Sequence, residues 1–216
     1  MKTDMTQGKP VKVLLGFTIP VFIGNVFQQF YNMVDAVVVG KFVGTKALAA
    51  VGSTGTIIFL IIGFLLGLTA GFTVLTAQKY GAGKMDEMRQ TVGNALILTA
   101  LVSAVMTAVS MTGMHALLKF MHTPDDIFKD AYAYVMIICG GIFALYNILA
   151  SILRALGNSK VPLYFLILSA MLNIVLDLVF IIVFKLGAPG AAWATIISQG
   201  VSGVLCLVYI WKFVPE

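Results

Sequence analysis

Charge is scarce in this chain. Asp, Glu, Lys and Arg make up 11% of its 216 residues, whereas soluble domains carry about 25%. With a mean hydropathy of +1.00, that scarcity excludes a cytoplasmic enzyme and a disordered scaffold. A basic patch is lacking as well. The surplus of 14 basic over 9 acidic residues is spread through short connectors between apolar runs, which excludes a nucleic-acid module. Cysteine is almost absent, and Cys139 and Cys206 each lie inside an apolar run, so no disulfide framework is implied. No low-complexity stretch and no convincing internal duplication appears. What the chain does have is apolar residues, at 60%. An integral membrane protein is the class that remains.

Stretches free of charged residues cover 13–34, 47–78, 90–118, 131–153 and 186–211, and 161–184 is interrupted only at Asp177. About 20 apolar residues cross roughly 30 Å of hydrocarbon as a helix. The pattern therefore predicts an all-α polytopic membrane protein with six transmembrane helices, near 13–39, 47–78, 90–114, 131–153, 161–184 and 189–211. Together they form one transmembrane unit over 13–212, after a cytoplasmic segment at 1–12 and before a cytoplasmic connector starting at 213–216. Membrane strands would be about half as long and would alternate polar with apolar residues. The first run is too long and too rich in amides (Asn25, Gln28, Gln29, Asn32) for a cleaved signal peptide.

The connectors suggest an orientation. With the start inside, the inner segments hold nine basic residues and the outer segments five, so both ends are expected in the cytoplasm of a cell (inner) membrane. His122 and Asp126 lie in an outer connector; without a further His or Cys they read as a solvated loop rather than a metal site. Gly81 to Lys84, the stretch from Arg154 to Lys160, and Gly187 to Gly190 punctuate the helices, with Pro162 suited to a first turn. Gly63, Gly67 and Gly71 form a small-residue ridge that permits close helix packing.

Function shows in what should not lie in hydrocarbon. Asp35 and Asp177 are the two acidic residues that interrupt spans. A charge at the bilayer centre costs roughly 2.5–3.5 kcal/mol on insertion scales, so such residues face a cavity and a partner. Asn25, Gln28, Asn32 and Asp35 form a stripe on the first span; Ser169, Asn173 and Asp177 form one on the fifth. Thr195, Ser198 or Gln199, and Ser202 form a third on the sixth. Topology places Asp35, Asp177 and Thr195 at one depth. Facing stripes of this kind make a hydrated cavity or an ion site, with hard oxygen ligands suited to Na⁺ or a shared proton. Close carboxylates in low dielectric cannot both stay ionised without a cation. Pro20 removes a backbone hydrogen bond in the first span and permits a kink. No nucleophile–base set, metal cluster or nucleotide loop appears, and neither aspartate follows the Gly-x-Gly pattern of an intramembrane protease. No catalytic chemistry and no cofactor are expected.

Two segments carry a family resemblance. The stretch from Phe27 to Asp35, running into Val39-Gly40, resembles the first helix of the multidrug and toxic compound extrusion transporters. The stretch from Arg154 to Pro162, followed by Leu172-Asn173 and Asp177, is similar to a later segment of the same family. The resemblance implies twelve helices in two six-helix lobes, of which this chain matches the first. It implies an antiporter that exports cationic or amphipathic compounds in exchange for Na⁺ or H⁺. In the drug-damage-inducible-type prokaryotic branch it implies a cation site at Asp35, Asn173, Asp177 and Thr195. Tyr31, Gln28 and the kink proline Pro20 match as well. Gln28, Tyr31, Asn32, Ser169, Ser198 and Gln199 are expected to line the cavity. The implied partners are the lipid bilayer, small drug-like substrates, and either the missing carboxyl-terminal lobe or a second copy. A lobe of a lipid or polysaccharide flippase is the alternative, although such cavities are usually lined with basic residues for pyrophosphate and none is buried here.

Overall fold

A chain with so few charges and no strand-like alternation has one way to satisfy its backbone away from water, which is to coil every apolar run into a helix. The computed structural model describes residues 9–139 and 143–213. Among these residues the elements are α1 (Pro10–Phe42), α2 (Thr45–Gly81), α3 (Met85–Phe120), α4 (Asp125–Cys139), α5 (Phe143–Ala155), α6 (Lys160–Leu178), a π-helical segment (Val179–Val183) and α7 (Ala188–Phe213). Five of these stretches are long and apolar enough to cross a membrane, with α6 and the π segment counted as one, and Leu145–Ala155 is a shorter apolar helix.

Local chemistry sets the ends. Gly44, Gly83, Gly157 and Gly187 take positive φ angles between the helices, a conformation open to glycine at little steric cost. Pro162 and Pro189 sit in the first turns of α6 and α7, where their missing N–H breaks no helical bond. Asn158 also helps start α6, because its Oδ1 accepts the Val161 backbone N–H at 3.2 Å. α1 continues through Pro20 without interruption.

Two features differ from the sequence pattern, and a third lies partly outside the described residues. Several helices run past their apolar cores into charged connectors, because helical hydrogen bonding does not stop where hydrocarbon does. The single helix expected over 131–153 is described as α4 and α5, with 140–142 outside the described residues, as are most of the segments expected at 1–12 and 213–216. The ridge of Gly63, Gly67 and Gly71 packs against nothing among the described residues, since a methyl added at any of them would meet no atom within 4 Å. α2 instead buries the face carrying Thr54, Ile57, Thr69 and Thr76.

Packing divides the lobe. α7 lies against α4, α5 and α6; α1 leans mainly on α6; α2 contacts α3, α4 and α5. The largest buried cluster joins Tyr31 to Tyr146, Leu149, Leu153, Leu166 and Cys206. Two hydroxyls pin this region: Tyr146 donates to the Pro162 carbonyl at 3.0 Å, and Ser202 donates to the Phe165 carbonyl at 2.9 Å. Each ties α6 to a neighbour.

Candidate functional site

Helical spacing puts Gln28, Tyr31, Asn32 and Asp35 on one side of α1. These four residues line a cavity of ≈ 350 Å³ whose other walls come from α2 (Val51, Gly55, Ile58, Phe59), α4 (Tyr134, Ile138) and α7 (Ala191, Thr195). Asn173 and Asp177 stand one turn apart on α6, just behind this cavity, and are 1% and 0% exposed. The Asn173 amide donates to the Thr195 hydroxyl at 3.4 Å. The Asp35 and Asp177 carboxyls are electrostatic neighbours. The four residues singled out as cation ligands in the sequence therefore meet in one layer between α1, α6 and α7.

The other expected lining residues are placed differently. Gln199 is buried behind the cavity, and its amide donates to the Tyr31 hydroxyl at 3.1 Å, so it braces the lining rather than forming it. Ser198 donates to the Thr195 carbonyl at 3.0 Å. Ser169 is 2% exposed on α6 and does not border the cavity. Asn25 is exposed and lies outside the lining. Tyr134 of α4 was not singled out by sequence. It borders the cavity and packs among Val39, Val135 and Ile138. A single tyrosine in an apolar span gives no periodic signal that could have found it.

The electrostatic character follows from the atoms left over. Asp35 Oδ1, Asn173 Oδ1, both Asp177 carboxylate oxygens and Gln199 Oε1 are buried without a hydrogen-bond donor. All five are acceptors. Among the described residues, ion pairs join Lys46 to Asp126 at 3.1 Å, and Lys79 and Lys84 to Glu87, all in or beside connectors. An unpartnered buried acceptor costs about 1–3 kcal/mol and a buried charge more, so this cluster favours a positive species. Carboxylate, amide and hydroxyl oxygens are the donor set of a hard cation, or of a proton held between carboxylates.

Apolar helices long enough to span a bilayer, with acceptor oxygens buried between them, define a polytopic membrane protein. The comparisons agree. A family model described as MatE matches residues 20–179. The chain is 34% identical over 211 residues to the probable multidrug resistance protein YpnP of Bacillus subtilis, covering 97% of this chain and 47% of that protein. It is 27% identical to the probable multidrug resistance protein NorM of Thermotoga maritima, covering 93% of this chain and 44% of that one. Among solved structures, an outward-facing multidrug resistance MATE family transporter superposes with a TM-score of 0.90 at 29% identity, over 99% of this chain and 48% of that one.

This chain belongs to the MatE family of multidrug efflux transporters, and its homologues are transporters, not enzymes. It spans about half the length of the curated relatives it matches.

Proposed function

We propose that this chain is the ion-coupling lobe of a secondary active antiporter that exports cationic or amphipathic compounds in exchange for Na⁺ or H⁺. The observation that carries the reading is the set of five unpartnered acceptor oxygens contributed by α1, α6 and α7, two aspartates among them. Asp35, Asn173, Asp177 and Thr195 hold the coupling cation, while Gln28, Tyr31 and Asn32 face the passing compound. Gln199 holds Tyr31 in place. Binding of the cation neutralises carboxylates that repel each other, and its release restores the repulsion. That cycle biases which side of the membrane the cleft opens to, because alternating access rocks one bundle against another around a central site. A second lobe, in the same polypeptide or from another copy, supplies the opposite wall.

The test is gradient-driven export by the complete two-lobe transporter. Asp35→Asn and Asp177→Asn should each abolish ion-driven efflux with insertion retained, since each removes a charge that is unfavourable to bury. Normal export by either variant would reduce that aspartate to a structural role. The lobe reconstituted alone should bind the cation and export nothing; export by a monomeric lobe refutes the reading.

The same proposal places both ends of the lobe in the cytoplasm. Cysteines introduced at Gly83 and Ser159 should then be blocked by membrane-permeant reagents alone, and one at Asp125 by impermeant reagents too. Labelling at position 83 from outside sealed cells would reverse the orientation.

A further inference from the structure

The π segment begins two residues after Asp177. Its signature is a Phe184 N–H that reaches the Val179 carbonyl at 3.0 Å, five residues back, and the Leu186 N–H reaches Phe180 at 3.0 Å. Val179–Val183 contains neither proline nor glycine, the two residues that disfavour an α-helix interior most strongly. The extra residue has a geometric consequence. Asn173, Asp177 and Ile181 follow one another at four-residue spacing, and all three are buried. An unbroken α-helix, with about 3.6 residues per turn, would bring Lys185 next onto that face. The π register turns the end of the helix by most of a residue step. Lys185 is instead exposed and takes a left-handed φ of 53° in the turn that leads to α7.

The start of α7 is built to fit this swelling. A methyl on Gly190 would lie 3.2 Å from Leu186 Cβ, 3.3 Å from Phe180 Cβ and 3.5 Å from Ile181 Cγ1. Two of those atoms are fixed Cβ carbons, not the ends of flexible side chains, so they cannot yield without moving backbone. Thr195, which accepts the Asn173 amide, lies little more than a turn beyond Gly190 on the same helix. Any displacement of α7 from the π segment therefore opens the Asn173–Thr195 contact, already long at 3.4 Å.

We infer that the π segment and Gly190 together form a positioning clamp for the cation site, setting the register of Asp177 and the distance of α7 from α6. Gly190 is a positioning residue; it touches none of the ligands. The inference rests on the cation-site reading above. π-helical insertions occur mostly as single bulges within α-helices, frequently at functional sites, and supporting groups behind metal ligands typically change affinity by about 10–100-fold when altered.

Three alanine substitutions on α7 test it in the complete transporter. Gly190→Ala strikes the clamp. Gly203→Ala is equally tight, with Leu145 and the Tyr146 backbone nitrogen at 3.3 Å, but lies eight residues beyond Thr195. Gly200→Ala points into open space, with no atom within 4 Å. Each protein is titrated with sodium alone by calorimetry and with protons by the infrared carboxyl band, and its thermal midpoint is recorded. Gly190→Ala should weaken cation binding roughly tenfold or more; Gly203→Ala should lower thermal stability without moving the cation midpoint, and Gly200→Ala should change neither. A Gly190→Ala cation midpoint that stays put, or shifts no more than that of Gly203→Ala, overturns the clamp. If Gly190→Ala cannot be recovered folded, the pair Leu186→Gly, Gly190→Ala removes the nearest clash and is judged by the same midpoint. Wild-type protein that binds sodium and titrates no carboxyl proton still supports the site. Wild-type protein that does neither overturns the cation site and the clamp with it.

Discussion

Helices α1 and α7 are both apolar enough to cross a membrane, yet 6% of the apolar window of α1 is buried within the chain, against 50% of that of α7. Their polar residues differ in the same way. On α7, Ser198, Gln199 and Ser202 each bond a partner in this lobe. On α1, Asn25, Gln29 and Asn32 are exposed, and the Asn32 amide donates to Gln29 Oε1 at 3.3 Å. Amides exposed to lipid tails are unfavourable, so this wall suits a hydrated cleft or a second lobe. The open glycine ridge of α2 belongs to the same unpartnered surface. The comparison teaches that apolar composition alone does not say which face of a helix is a core. What fills that face does.

The sharpest way to break the contrast is to put the same bulky side chain on both surfaces. Gly203→Leu forces a side chain against Leu145 and the Tyr146 backbone; overpacking of this kind typically costs about 1–3 kcal/mol, read as a lowered unfolding midpoint of the isolated lobe. Gly67→Leu should leave that midpoint unchanged, because its methyl position is open, and should instead weaken association with a second lobe. Equal destabilisation by both would mean that the ridge is internal after all.

A smaller effect compares the polar groups. Ser202→Ala deletes the bond to Phe165 and should lower lobe stability by about 0.6 kcal/mol, the average for such bonds in membrane interiors. Asn32→Ala, on the open face, should leave lobe stability unaltered while changing the export of compounds that line up along α1. If Asn32→Ala is the more destabilising of the two in an unfolding titration, α1 is held by its polar stripe and not by α6.

The smallest effect lies outside both regions. Lys79 and Lys84 pair with Glu87 across the α2–α3 turn, where water screens the charges. Lys84→Met should give no resolvable change in the unfolding midpoint, and a clear loss would show that this turn is less exposed to solvent than its surroundings imply.

Much of this was legible in the chain itself. Charge-free runs are long because hydrocarbon must be crossed, and four-residue spacing aligns Asn173 with Asp177 on any α-helix. A shared layer of Asp35, Asp177 and Thr195 could be read from spacing and depth, and Asn173 joined them through the family resemblance. The bracing of Tyr31 by Gln199 could not be read that way. Tyr134 was equally hidden, since its role depends on which helix lies opposite. Ser198 and Gln199 looked like cavity lining because spacing reports a face and not its neighbour.

By itself the sequence determined the class of the protein, the helices, and the two aspartates that have no place in hydrocarbon. Those follow from local rules: apolar length, helical period and the free energy of burying charge. Tertiary structure decided which polar residues are consumed in packing, which are left as unpartnered acceptors, and where the π register falls. Val179–Val183 carries neither proline nor glycine. The extra residue is accommodated there because α7 presents a glycine against it, a contact between segments that no local pattern encodes.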